Sequence, residues 1–401
     1  MFNNELRIAS IGNVDSAKST TISCIAYDIL DNGRGEARKK ILQHRHEEVS
    51  GRTSSITQHY IYKNNRLINF IDLAGHEKYL KTTMSGLSGC FIDYAMVTIG
   101  GDRGIIGMTK EHIGIAIALN IPIFIVITKI DISPPDKLEK IIQNTTNLMR
   151  CKAAGSKEII IINNNDNIDL LNNWQKKNIC PIFLTSNTKD LNLTNLKNFV
   201  YNLPSKYKLN LNSNNKVFVI DDVFKVKGVG IVLSGITREG TIKIGDQIYL
   251  GPFHGKFKPV IIKSLHDNFK NSIEKIESGS SGCINIKFIN NKKDYVSKND
   301  IKRGMVIILN PQCIKEFKAD VIILKHPTTI TSKYQPVIHC GSVRQTAKIN
   351  LMSNNLLRTG DKATIDFEFL FHPEFIEIGS KLIFRDGNTK GIGTITNVKY
   401  K

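Results

Sequence analysis

The sequence predicts an α/β domain, built on a mostly parallel sheet with helices on both faces, followed by two all-β barrel domains. Three observations carry this. Over residues 6–203 short apolar runs alternate with helix-like segments, the texture of strands joined by crossovers. Polar motifs close those runs, at the strand ends where an open parallel sheet binds ligands. After Pro204 the runs become short and glycine-punctuated, as in closed barrels. The expected boundaries are 1–204 for the first domain, 205–215 for a polar linker, 216–312 for one barrel and 313–401 for the other.

The first run (Leu6, Ile8, Ile11) leads into Gly12-Asn13-Val14-Asp15-Ser16-Ala17-Lys18-Ser19-Thr20 and then a helical pattern at Ile22, Ile25, Ala26, Ile29 and Leu30. A strand, a tight turn and a helix N-terminus make an anion site, because free amides and the helix dipole face the phosphates. In the pattern G-x-x-x-x-G-K-[ST], Lys18 reaches the β- and γ-phosphates and the Ser19 hydroxyl ligates magnesium. Ala17 stands where the second glycine belongs. An ordinary strand-to-helix turn is the plainer alternative.

The run Leu67, Ile68, Phe70, Ile71 ends in Asp72-Leu73-Ala74-Gly75-His76. Asp72 there can hold a magnesium-bound water, the Gly75 amide can approach a γ-phosphate and His76 can orient an attacking water. Taken alone, this stretch is also common in turns. The apolar run 121–127 closes in Thr128-Lys129-Ile130-Asp131, whose carboxylate can accept from guanine N1–H and the exocyclic amine. Adenine offers no such donor pair, so the site would reject it. Thr185-Ser186-Asn187 follows the run 181–184 and can lend backbone amides to the guanine carbonyl. Helices are expected at 109–119, 136–150 and 192–202, and the polar run 163–173 reads as a surface loop.

In these motifs the chain resembles the translational GTPases, and within them the GTP-binding protein 1 and 2 branch, relatives of elongation factor Tu and elongation factor 1-alpha. The likeness extends through Asp31-Asn32-Gly33-Arg34-Gly35, Ser50-Gly51-Arg52-Thr53-Ser54-Ser55, Gly107-Met108-Thr109-Lys110-Glu111-His112, His326-Pro327-Thr328-Thr329-Ile330 and Leu357-Arg358-Thr359-Gly360-Asp361-Lys362. The resemblance implies a P-loop GTPase that hydrolyses GTP to GDP with Mg2+. It implies that Thr53 ligates magnesium and senses the γ-phosphate, that Asp72 holds magnesium through water, and that His76 positions the hydrolytic water. Asp15 resembles an aspartate linked to a monovalent cation. Val14 matches one wing of a hydrophobic gate around the histidine, whereas Arg52 replaces an isoleucine at the other. The same resemblance implies aminoacyl-tRNA or the ribosome as partner, in elongation, rescue or RNA surveillance, and points to His339 and Arg344 for RNA contact.

Composition agrees. A chain of 401 residues, 41% hydrophobic and 23% charged, is ordinary for a globular protein of two or three domains. A net charge of +19 favours a polyanionic partner such as RNA, although heavy use of Lys, Asn and Ile throughout would also produce it. The seven cysteines are scattered, with no metal-binding spacing, which reads as reduced thiols in the cytoplasm. No apolar run reaches bilayer length and no signal peptide is legible, so a membrane is not expected as partner; a monomer is. His44, His46, Glu47 and Glu48 read as a solvated helix, His112 as a structural histidine, and Trp174 and Cys340 as packing residues.

Two other readings stay open. Ala17 favours a binding module that keeps the tRNA or ribosome contacts and has lost turnover. A GTPase regulating a metabolic enzyme is the third.

Overall fold

The apolar runs of the first domain become one seven-stranded sheet: β1 (Leu6–Gly12), β2 (Thr57–Lys63), β3 (Arg66–Asp72), β4 (Tyr94–Gly100), β5 (Ile123–Thr128), β6 (Glu158–Ile162) and β7 (Ile179–Leu184), in the order β2-β3-β1-β4-β5-β7-β6. The computed structural model describes residues 5–41, 56–163, 166, 168–205, 215–289, 296–341, 343–386 and 389–400. Every pairing in this sheet is parallel except β2 with β3. All residues of β1, β3, β4 and β5 are buried, which is why these strands read as continuous apolar runs and not as alternating ones.

The helices are α1 (Lys18–Tyr27), α2 (Glu36–Lys39), α3 (Leu80–Gly89), α4 (Gly107–Ala118), α5 (Pro135–Arg150) and α6 (Leu193–Asn202). From β1 the chain steps outward to β3, then back across β1 to β4 and β5. Right-handed connections in opposite directions put α1 and α4 on opposite faces of the sheet. The strand order therefore reverses at β1, and the crevice at its carboxyl end is where such sheets bind ligands. The expected helices at 109–119, 136–150 and 192–202 are present with ends shifted by one or two residues, the usual uncertainty of frayed termini.

Phe70, Tyr94, Phe124, Phe183 and Phe199 fill the core of this domain. Trp174 joins them, with ring centroids 5.9 Å from Tyr94 and 6.0 Å from Phe199. The run 163–173 is thus more than a surface loop. Its described residues include the short 3-10 turn Ile168–Leu171, with Leu171 buried, and they deliver Trp174 to the core. At the domain's exit two buried side chains hold the last carbonyls. Arg66 donates to Leu203 O, and the Tyr94 hydroxyl to Pro204 O at 2.7 Å.

A second compact unit holds both barrels. Its first part comprises β8 (Val217–Val226), β9 (Gly230–Glu239), β10 (Thr241–Lys243), β11 (Gln247–Phe253), β12 (Lys256–His266), β13 (Ser272–Ile273), β14 (Lys275–Glu277), β15 (Ser281–Phe288) and β16 (Val306–Ile308). The ring β11-β16-β8-β9-β15-β12 closes through β11 and β12 around Phe218, Leu233, Leu250 and Ile284. The other barrel runs β17 (Ile314–Lys325), β18 (Val337–Cys340), β19 (Val343–Met352), β20 (Lys362–Phe369), β21 (Lys381–Asp386) and β22 (Thr389–Tyr400), closed in the order β17-β20-β19-β18-β21-β22. Phe317, Phe367, Phe369 and Phe384 fill it. Every strand pairing in this ring is antiparallel, so no edge is left exposed.

One expectation changes here. His339 is only 6% exposed and sits mid-strand in β18, so it has no surface to offer an RNA; Arg344, opposite it on β19, is exposed. All seven cysteines are free thiols, and only Cys151 is fully exposed. Among the described residues no helix is long and apolar enough to cross a membrane.

Candidate nucleotide site

The loop after β1 is shaped by left-handed backbone at Asp15 (φ 61°) and Ala17 (φ 64°). Ala17 thus adopts the conformation that a glycine would supply there, and its carbonyl accepts the Thr21 amide at 2.8 Å to start α1. The Asn13 carbonyl accepts from Lys18 Nζ at 2.7 Å and from Ser16 Oγ at 2.9 Å, which cinches the loop into a ring. Ser16 is buried and also meets Thr98 Oγ1 at 3.0 Å, so its side chain faces the sheet. Lys18 is buried as well. Burial lowers its pKa from the ordinary lysine value, opposed by the carboxylates of Asp72 and Asp15. Asp15 itself accepts from Arg103 at 3.2 Å. Asn13 and Val14 are half-buried in the loop, and Thr20 is buried in the first turn of α1.

From the end of β3, Asp72 Oδ2 accepts from Ser19 Oγ at 2.5 Å, so two hard oxygen donors converge beside the lysine. Gly75 lies directly over the loop. A Cβ there would stand 2.6 Å from Lys18 Nζ and 2.7 Å from Gly12 O, so no other residue fits without displacement. His76 is exposed and caps the turn Glu77–Tyr79, its Nδ1 accepting the Lys78 amide at 3.1 Å. That bond uses the Nδ1 lone pair, so the neutral ring carries its proton on Nε2. Thr53 and Arg52, like His44, His46, Glu47 and Glu48, lie outside the described residues.

On the other side of the loop, Thr128 Oγ1 donates to Ser16 O at 3.1 Å and so ties the end of β5 to the loop after β1. Lys129, at φ 59°, pairs with Asp102 at 3.0 Å. Burial opposes ionisation of Asp131, but hydroxyl donors on Ser186 and Thr188, the latter at 3.0 Å, outweigh it and hold the carboxyl below its usual range. Asp131 is therefore an acceptor at neutral pH. The Ser186 amide donates to Leu191 O. Asn187 is buried, with Nδ2 donating to Thr21 Oγ1 at 3.0 Å and its carbonyl accepting the Asp31 amide at 2.9 Å, so its side chain fastens α1.

Thr98, Asp102 and Arg103 were not visible as motifs, and His112, read from the sequence as a structural histidine, braces the loop itself. His112 on α4 is fully buried, and its Nδ1 accepts the Gly12 amide at 3.3 Å. Burial, reinforced by the nearby Lys18 ammonium, pushes its imidazole down to about 4. It therefore stays neutral and keeps the lone pair that Gly12 needs. The structural reading made from the sequence holds, and the partner that explains it, the Gly12 amide, lies 100 residues away in the chain.

A doubly wound sheet with a buried lysine at the end of the loop after β1, an Asp-x-x-Gly-His turn after β3 and an ionised Asp after β5 is the arrangement of a P-loop GTP-binding domain, here followed by two barrels. The family described as elongation factor Tu GTP binding domain matches residues 3–206, and the elongation factor Tu C-terminal domain matches 310–399. The chain belongs to this family, the translational GTPases. It is 40% identical to GTP-binding protein 1 of Xenopus laevis, over 98% of this chain and 63% of that protein. To human GTP-binding protein 2 it is 34% identical, over 98% and 69%. The chain thus spans about two thirds of the length of these relatives. The GTPase-like domain of S. cerevisiae Ski7, solved bound to GTP, shares the fold with a TM-score of 0.77 at 13% identity, covering 98% of each chain.

The strained alanine leads to one expectation. Left-handed backbone costs an alanine about 1–2 kcal/mol, partly offset because glycine loses more entropy on folding. Ala17→Gly should therefore raise the unfolding free energy of the first unit by about 1 kcal/mol. Trp174 is the single tryptophan and lies in that unit, so its fluorescence through a urea titration reads the change. A lower midpoint would contradict the argument.

The buried histidine leads to another. Its folded value of about 4 lies below the ordinary 6.5, so the unfolded chain takes up the proton first. The stability that neutral His112 contributes is complete above pH 6.5 and drains away as pH falls towards 4, by about 3 kcal/mol in all. His112→Asn keeps an acceptor for Gly12 but does not titrate, so its stability should fall less over that interval. Parallel pH curves for the two proteins would remove His112 as the cause.

Proposed function

We propose that this protein binds GTP and GDP with Mg2+ and hydrolyses the β–γ phosphoanhydride of GTP, and that its GTP form binds aminoacyl-tRNA or the ribosome. The observation that carries the reading is the convergence of Ser19 Oγ and Asp72 Oδ2 at 2.5 Å beside the buried Lys18. A hydroxyl and a carboxylate are the hard oxygen donors that magnesium takes, the rest of its shell being waters and phosphate oxygens. Ser19 and, through water, Asp72 would hold the ion, with Thr53 as a further ligand; a monovalent cation near Asp15 would share that carboxylate with Arg103. Bound magnesium supplies neutralisation of phosphate charge. We take the domains as 1–204, 216–312 and 313–401, joined by the linker 205–215, in a monomeric cytoplasmic protein.

Phosphoryl transfer of this kind is mainly positioning and charge stabilisation. Water oxygen bonds to the γ-phosphorus while the bond to the β–γ bridging oxygen breaks and its electron pair stays on GDP; the water's proton passes to a γ-phosphate oxygen, so that GDP and inorganic phosphate leave. Lys18 and the amides of residues 13–20 stabilise the charge that gathers on the phosphate oxygens. Gly75 offers its amide to the γ-phosphate. With Nδ1 committed to the Lys78 amide, His76 orients the water by donating from Nε2. Asp131, ionised and fixed by Ser186 and Thr188, reads the guanine edge, with Thr128, Lys129 and Asn187 bracing the loops around it. The left-handed Ala17 keeps the loop amides in register, which favours retained turnover over the binding-module reading.

Asp131→Asn exchanges an acceptor for a donor, so GDP affinity should fall by about 100-fold or more while xanthosine diphosphate becomes the better ligand. Calorimetry with both nucleotides measures this, and undiminished preference for GDP would refute the assignment. His76→Ala should leave GDP affinity within about twofold and slow ribosome-stimulated hydrolysis by about 100-fold or more. A single-turnover assay with purified ribosomes decides, and an unchanged rate would take His76 out of the reaction.

A further inference from the structure

Between the two barrels of the second unit lies a cleft of about 820 Å³; of the residues that line it, Arg344 alone has been given a role above, as a side chain the resemblance points to for RNA contact. Its volume falls within the usual range for small-ligand sites. One wall is the hairpin joining β11 to β12, with Phe253 and His254; the other comes from Arg344 on β19 and the segment after β20 with His372 and Phe375. Lys302 and Arg303 line it from the loop before β16.

The walls are set firmly against each other. A Cβ at Gly255 in the hairpin would come 2.7 Å from Pro373, and the rings of His254 and His372 meet edge to face at 5.2 Å. Behind them the buried Gln345 accepts from the amides of Phe371 (2.9 Å) and His372 (3.0 Å) and donates to His372 O (3.0 Å) and Glu374 Oε1 (2.9 Å). Glu374 Oε1 also lies 3.1 Å from His372 Nε2. The carboxylates of the cleft are thereby committed to the protein: Glu374 to this network, and Asp300 to the Ser297 amide (2.7 Å) and hydroxyl (2.8 Å).

The cations are less committed. Arg303 pairs with Asp222, and Lys258 lies over the Phe253 ring at 5.6 Å. Lys302 and Arg344, both exposed, make no ion pair among the described residues. The cleft therefore combines positive charge held in no ion pair with the half-buried rings of Phe375 and of Phe253, the latter with Lys258 over one face. A phosphate needs the first and a flat base needs the second.

We propose that the cleft between the barrels binds a phosphorylated nucleotide unit, its phosphate on Lys302 and Arg344 and its base against Phe253 and Phe375. The inference does not depend on GTP turnover, since every residue it uses lies in the barrels. Two sources offer this chemistry, a free mononucleotide and a nucleotide within a single RNA strand.

The test uses the full chain saturated with GDP and magnesium, so that the first domain is filled. Fluorescein-labelled tetra-adenylate is followed by anisotropy, and unlabelled adenosine 5′-monophosphate is added as competitor; adenine lacks the donor pair that Asp131 reads. The double variant Lys302→Glu, Arg344→Glu should weaken binding by about tenfold or more. Lys137→Glu, Lys140→Glu, an equal charge change on the exposed face of α5, should alter it by less than about twofold. Competition by the monophosphate identifies a free nucleotide as sufficient; binding of the tetranucleotide alone identifies a strand. Equal losses in the two double variants, or no binding of either probe at millimolar concentration, would overturn the proposal. Arg344→Gln and Phe375→Leu, each near-isosteric, should both weaken the probe, and they decide the matter if the charge-reversed chain does not fold.

Discussion

The carboxyl end of β1 is packed so closely that Gly12 has room only for its backbone, and the rest of the site is arranged around that peptide. A Cβ on Gly12 would fall 2.3 Å from Thr98 O. Its amide is held by His112 from α4, on one face of the sheet, and Gly75 from the turn after β3 lies against its carbonyl. The loop that follows turns back on Asn13 O through Ser16 and Lys18. The nucleotide loop is thus braced from β4, α4 and the Asp72 turn at once. Backbone packing of this kind is stiff, and it sets where Lys18 and Ser19 emerge at the start of α1.

The same packing explains the polar groups buried beneath the site. Thr98, Ser16 and Thr128 make a hydroxyl-to-carbonyl chain linking β4, the phosphate loop and β5. Each is buried, and each finds a partner, which spares the site the cost of an unpaired dipole in a dry interior. Asp131 and its two hydroxyl donors continue that pattern beyond the end of β5, where the hydroxyls hold its carboxylate ionised and fixed.

Much of this was legible in the sequence because strand ends are local events. Asp72 ends an apolar run and Lys18 and Asp131 follow within a few residues of one, and a fully buried parallel strand announces its end by a turn to polar residues. His112, Thr98 and Asp102 reach the site from other elements across the fold, so no spacing in the chain revealed them. His339 was misjudged for a related reason: β18 alternates weakly, and only its pairing with β19 and β21 shows which way each residue faces. In the second barrel β17 runs from Ile314, well before the apolar stretch at 321–324, because Lys315, Glu316, Lys318 and Asp320 alternate with buried Phe317 and Ala319. Register shifts along β17 and β22 blur that alternation.

Arg66 and Tyr94 give the first domain an edge as well as an interior. They cap the carbonyls of Leu203 and Pro204 from the strand ends opposite the nucleotide loop. β3 therefore has two terminals: Arg66 grips the outgoing chain, and Asp72 accepts from Ser19 at the head of α1. The domain thus finishes with its last peptide groups satisfied from within. Evolution could exchange whatever follows Pro204, barrels included, without reopening the core behind it.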